Sequence, residues 1–122
     1  MKIEVAVKGV LQERGALQKM GGTPQPTYIS EHMYLLSQFN SALEECLAEE
    51  EKKLELREAE LFKEYRAKDL SANASQIQVK YDVAVDRAEI IRLTRLCSSG
   101  SRLISSAQSR IKHLLAEAQN QI

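Results

Sequence analysis

Apolar residues recur at three- and four-residue steps along two long stretches of the chain, a period that predicts amphipathic helices. In the first stretch Leu36, Phe39, Leu43, Cys46 or Leu47, Leu54, Leu61 and Tyr65 follow this spacing, with slack in the middle. No Gly or Pro interrupts Glu31 to Asp69, and Ser30 is placed to cap the helix, with Met33 opening its body. About 40 residues at 1.5 Å each give a helix of roughly 60 Å. The second stretch runs from about Ser75 to the C-terminus. Its seam of Leu93, Cys97, Gly100, Ile104, Ala107, Ile111, Leu114 and Ala118 alternates steps of four and three, as a coiled-coil a/d seam does. Between the two stretches, Leu70-Ser71-Ala72-Asn73-Ala74-Ser75 supplies small polar residues that end one helix and start the next. So short a connection predicts antiparallel neighbours.

The start of the chain is less regular. Ile3, Val5 and Val7 alternate with polar or small residues, as in a strand. Val7, Val10, Leu11, Ala16 and Leu17 instead suit a loose amphipathic helix, which Gly9 and Gly15 weaken. Residues 1–20 are therefore expected to be a short helix or a mobile arm. Two Gly and two Pro mark residues 21–29 as a linker, and residues 30–122 form the two-helix unit. The expected fold is all-α: a long antiparallel helical hairpin with a short N-terminal arm. Two helices cannot cover a seam of this length on every side, so homo-oligomerisation is expected to complete it. Small residues in the seam predict close backbone approach.

Composition sharpens this picture. Among 122 residues 28% are charged and 5% aromatic, with no Trp. That mixture suits helix seams built from Leu, Ile and Ala. No apolar run approaches the roughly 20 residues that span a bilayer, and the first residues lack the apolar core of a signal peptide. Cys46 and Cys97 have no paired spacing, which argues against a disulfide framework or a zinc site and suits a reducing, cytoplasmic setting.

Net charge is zero, yet its distribution is uneven. Glu44 to Glu60 holds eight Glu against Lys52, Lys53 and Arg57, a local net of −5. Arg87 to His113 holds Arg87, Arg92, Arg95, Arg102, Arg110 and Lys112 against Glu89 alone, a local net of +5 with His113 neutral. At 100° per residue, Arg92, Arg95, Ser99, Arg102, Ser106, Ser109, Arg110 and His113 share about one-third of the helix circumference, apart from the apolar seam. Guanidinium forks among small hydroxyls suit phosphate oxygens. Lys63, Arg66 and Lys68 form a second basic group near the hairpin tip. Three readings stay open: the acidic and basic stretches pair with each other, the Arg face binds phosphates, or it meets a protein. Of the aromatics Tyr28, Tyr34, Phe39, Phe62, Tyr65 and Tyr81, Phe39 and Tyr65 fall on the first seam. Phe62, beside the second basic group, is the best placed for base stacking.

Residues for catalysis are not grouped. His32 and His113 lack metal-ligand neighbours at helical spacing and read as surface or rim residues. The two cysteines read as small core hydrophobes. Gly21-Gly22 opens no phosphate-binding loop, since no Lys-Ser/Thr follows. No enzyme activity and no cofactor are expected.

Cys97-Ser98-Ser99-Gly100, followed by Ser109-Arg110-Ile111-Lys112-His113, resembles the UvsY-like family of phage recombination mediators, which carries a Cys-Ser-Gly, then a Ser-Arg, then an Ile-Lys-His. Lys63, Arg66 and Lys68 sit where that family has a basic cluster before its hairpin turn. The resemblance covers roughly residues 30–116. It implies a phage-encoded, ring-like homo-oligomer in the host cytoplasm that binds single-stranded DNA and helps load a recombinase onto strands held by single-strand-binding protein. On that basis the candidate nucleic-acid contacts are Arg92, Arg95, Arg102, Arg110, Lys112, Lys63, Arg66 and Lys68. The alternatives are a small helical protein-interaction module, such as a phage inhibitor of a host defence nuclease for which the Glu44–Glu60 patch speaks, and a structural coiled-coil subunit.

Overall fold

The computed structural model describes residues 1–19 and 25–120. The chain is all-α. Its elements are α1 (Ile3–Gln18), α2 (Pro26–Ala67), α3 (Ala72–Asp82) and α4 (Ala84–Asn120).

α2 begins at Pro26, so Ser30, expected as its cap, lies one turn inside the helix. Proline suits this first position because its φ is already helical and the N–H it lacks would have had no partner. Of the expected linker 21–29, residues 21–24 lie outside the described residues, and 26–29 form the first turn of α2. The other end of α2 closes on Asp69, which holds a left-handed φ of 64°. Leu70 N–H donates to Tyr65 O (3.2 Å) and Asp69 N–H to Arg66 O (3.1 Å), the paired bonds of a Schellman cap. Ser71 then caps α3, its Oγ accepting from Ala74 N–H at 3.1 Å. The chain reverses within these few residues.

One continuous helix was expected from Ser75 onward. It instead starts at Ala72 and is interrupted at Val83, where φ is −103° and ψ 6°. The bonds Val83 N–H to Val79 O (3.1 Å) and Arg87 N–H to Val83 O (2.9 Å) bracket the interruption. Helical phase therefore carries across it, and the break is a kink. β-Branched Val79, Val83 and Val85 cluster here, residues with weak helix propensity.

α2 and the α3–α4 pair run side by side in opposite directions. Asn40 meets Cys97 and Ser101, Glu58 meets Arg87, and Tyr65 meets Asp82. The seam of α4 packs as its spacing implies: Leu93, Cys97, Gly100 and Ala107 are buried, Ile104, Ile111 and Leu114 half-buried, and Ala118 exposed. Gly100 allows the close approach. A Cβ there would lie 2.8 Å from Asn40 Oδ1. Asn40 is itself buried, and its Nδ2 donates to Cys97 O (3.1 Å) and Ser101 Oγ (3.2 Å).

α1 lies antiparallel to the first half of α2 and touches α4. Ala6, Val10 and Leu17 join a continuous core with Leu36, Leu43, Leu93 and Leu96. Each fully buried Leu or Val is worth about 1.5–3 kcal/mol, so α1 supplies part of the cover that two helices alone could not. Two contacts orient it. Buried Glu13 meets His32 Nδ1 at 2.6 Å. Gly9 is buried against the Phe39 ring, where an added methyl would overlap it. Gly15, in the same helix, has nothing within 4 Å of that position.

The two glycines therefore respond oppositely to alanine. Gly9→Ala must displace a packed ring and is expected to destabilise the chain by about 1–3 kcal/mol. Gly15→Ala gains helix propensity without a clash and should stabilise it by about 0.5–1 kcal/mol. Urea denaturation followed by circular dichroism measures both, and equal effects of either sign would contradict this packing of α1.

Candidate nucleic-acid interface

The rotation of α4 is set by its seam. Asn40 holds the side bearing Cys97, Gly100 and Ser101 against α2, and Leu96 and Leu103 turn toward the core that includes α1. The opposite arc faces outward. Arg95, Arg102, Ser106, Ser109, Arg110 and His113 are all exposed, and Ser99 is half-buried. At one turn per 3.6 residues, Arg95, Arg102 and Arg110 recur about 10–12 Å apart along this face.

Their charge is largely unspent. The acidic and basic stretches form one ion pair with each other among the described residues, Arg87 with Glu58. Among the described residues Arg95, Arg102, Arg110, Lys112 and Lys63 have no carboxylate within 4.0 Å. Arg95 does line a surface groove with Glu51, Glu55 and Arg87 without pairing to either acid. Extensive acid–base pairing along the two helices is thus not formed. Exposed pairs of this kind contribute little stability in any case.

The remaining candidates are placed differently. Arg92 is exposed but engaged: its Nε and Nη2 donate to both Glu89 oxygens at 3.0 and 2.7 Å. That bidentate bond lowers the Glu89 pKa and raises that of Arg92. Lys112 falls on the α2 side of the outward arc, 100° from the seam, so it flanks the Arg row and does not extend it. At the tip, Arg66 donates to Leu70 O (3.1 Å) and stiffens the turn. Lys68 sits 5.8 Å over the Tyr65 ring. The Tyr65 hydroxyl donates to Asp82, and this bond is the first cause of its raised pKa. Asp82 and Arg92 are separated by about 15 Å of helix, so the tip group and the α4 row are two stations along one molecule. Phe62 is half-buried at α2 and is less available for stacking than its sequence position implies.

One further feature is not legible from the sequence. A groove of about 760 Å³ opens at the N-terminal end of α1, walled by Ile3, Val7, Leu47, Leu54, Ile90 and Leu93. Its rim carries both signs of charge, including Lys53, Arg57, Glu50 and Glu89. Cys97 lies under the α2–α4 crossing. Burial, reinforced by the Glu44 carboxylate, pushes its thiol pKa up. Among the described residues no cluster of three or more His, Cys, Asp or Glu is arranged to hold a metal ion, and no helix is long and apolar enough to cross a membrane.

Comparison with protein-family models, curated proteins and solved structures returned no match.

Cys97 offers a reporter of the crossing that orients the Arg row. In a Cys46→Ser variant the remaining thiol should react with a disulfide reagent at pH 8 roughly tenfold or more slowly in the native state than in urea, because a buried thiol with a raised pKa supplies little accessible thiolate. Equal rates would mean that the α2–α4 crossing opens freely.

Proposed function

We propose that this chain is a single-stranded-DNA-binding accessory protein of the recombination-mediator type, acting as a homo-oligomer. The observation that carries the reading is the outward third of α4, where Arg95, Arg102 and Arg110 stand among exposed serines with no ion-paired carboxylate among the described residues. Guanidinium groups repeated along a helix can follow a phosphate backbone without reading sequence. The likeness of Cys97–Gly100 and Ser109–His113 to the UvsY-like family supports the same segment and adds the partners: a recombinase and a single-strand-binding protein. The UvsY-like resemblance also motivates self-association, with the uncovered end of α4 beyond Lys112 as one surface open to another copy. Lys63, Arg66 and Lys68 at the tip serve as a second phosphate station.

A protein-interaction module is the second reading. The apolar groove at the N-terminal end of α1 and the exposed Glu44, Glu45, Glu49, Glu51, Glu55 and Glu60 favour it. Its signature would be capture of a protein partner by a chain with no nucleic-acid affinity.

Fluorescence anisotropy of a labelled single-stranded oligonucleotide, titrated between about 50 and about 200 mM salt, separates the two. Each phosphate contact on a single strand contributes about −0.7 to the slope of log affinity against log salt. Arg95/Arg102/Arg110→Ala, folded by circular dichroism, is expected to weaken binding and flatten that slope by about 2. No binding at the lowest salt, or an affinity indifferent to salt, would remove the mediator reading.

A further inference from the structure

We infer that Tyr81, on the outer face of α3, is a stacking platform for an unpaired nucleobase and gives the basic row its preference for single strands. This rests on the nucleic-acid reading above and adds a site to it.

The outward arc of α4 continues through the kink. Hydrogen bonds on both sides of Val83 keep the helical phase. Projected at 100° per residue, Ile77, Tyr81, Val85 and Ala88 therefore fall on the same third of the circumference as Arg95, Ser99, Arg102 and Ser106. These residues are not packed: Ile77 is 62% exposed, Tyr81 80% and Val85 82%. Aromatic rings bury large areas in cores and at interfaces, so one left this open beside two aliphatic side chains is available to a flat ligand. Its hydroxyl has no hydrogen-bond partner among the described residues, in contrast to Tyr65, which is tied to Asp82.

The electrostatic surroundings fit a polyanion. From Ile77 to His113 this arc contains no Asp or Glu. The three acids in that span, Asp82, Asp86 and Glu89, project to the other side. Asp82 receives Tyr65 and Gln78, and Glu89 receives Arg92. The Tyr65–Asp82 and Glu58–Arg87 contacts put Tyr81 level with the tip group of Lys63, Arg66 and Lys68, at the tip end of the arc that carries the row beginning at Arg95. A strand whose phosphates run from that group onto the row passes beside it. Phosphates alone do not distinguish a single strand from a duplex. A ring that stacks on a base face does, because in a duplex those faces are already occupied. Sequence preference stays low, since every base offers such a face.

The test compares a labelled thymidine oligonucleotide with an abasic one of equal length, which keeps the phosphates and lacks the bases. The variants are Tyr81→Ala, Tyr81→Phe and Arg95/Arg102/Arg110→Ala, each checked by circular dichroism and for subunit number by light scattering. Wild type is expected to prefer the thymidine strand. Tyr81→Ala should bind it about tenfold more weakly, with abasic binding and the salt slope unchanged, while Tyr81→Phe retains wild-type affinity. Thymidine binding by Tyr81→Ala equal to wild type overturns the inference and leaves the Arg row standing. So does a changed subunit number with equal losses on both strands, which would make the strip a contact between copies. If wild type binds neither strand, the nucleic-acid reading and this inference fall together.

Discussion

The crossing of α2 over α4 at Asn40 and Gly100 is the contact on which the rest of the molecule depends. Gly100 has no side chain to hold the helices apart, and Asn40 fills the space with two hydrogen bonds to the opposite helix. Buried polar groups are costly when unpaired. A slip of one residue would strand the Asn40 amide in an apolar seam, so the pair acts as a register lock in the manner of a single polar residue in a coiled-coil core. The lock is incomplete, since Asn40 Oδ1 finds no partner among the described residues. Fixing register also fixes rotation, and rotation decides that Arg102, Ser106, Ser109 and Arg110 of α4 stand exposed on the arc opposite its seam.

α1 solves the problem that two long helices leave open. A helix pair buries one stripe on each member and exposes the flanks. α1 covers one flank over the first half of α2, with Phe39 laid on Gly9 and Glu13 against His32. Because α1 begins at Ile3, the flank beyond it remains as the apolar groove between Leu47, Leu54, Ile90 and Leu93. The other flank holds a smaller groove in which Glu51, Glu55, Arg87 and Arg95 surround Leu54, Ile90 and Ile91. The molecule therefore presents three distinct surfaces: an apolar groove, an acidic flank of α2, and the outer arc of α3–α4.

Charge neutrality of the whole conceals this division. The acidic and basic stretches lie on adjacent antiparallel helices, where long-range attraction favours their alignment, yet only Arg87 and Glu58 close to an ion pair. The outward rotation of α4 is the reason. Its guanidinium groups point to solvent, and an exposed ion pair would gain too little to pull long side chains around the helix. Arg92 is satisfied locally by Glu89, one turn earlier on its own helix. Charge thus remains available on the outer arc.

Much of this was legible in the linear pattern. The all-α class, the seam Leu93–Cys97–Gly100–Ile104–Ala107 and the outward grouping of Arg95, Arg102 and Arg110 follow from a 3.6-residue period, because local geometry alone places those side chains on opposite arcs. Chain reversal near residues 69–71 follows from small polar capping residues. Other features required the tertiary structure. Asn40 reads in the sequence as one more polar residue; only the opposite helix gives its amide partners. Gly9 looks like a weakness in a helix until Phe39 rests on it. The kink at Val83, the engagement of Arg92 and the exposure of Tyr81 in place of Phe62 depend on which neighbours arrive from distant parts of the chain. Periodicity states which residues share a face. What that face meets, or fails to meet, is decided by packing between segments far apart in sequence.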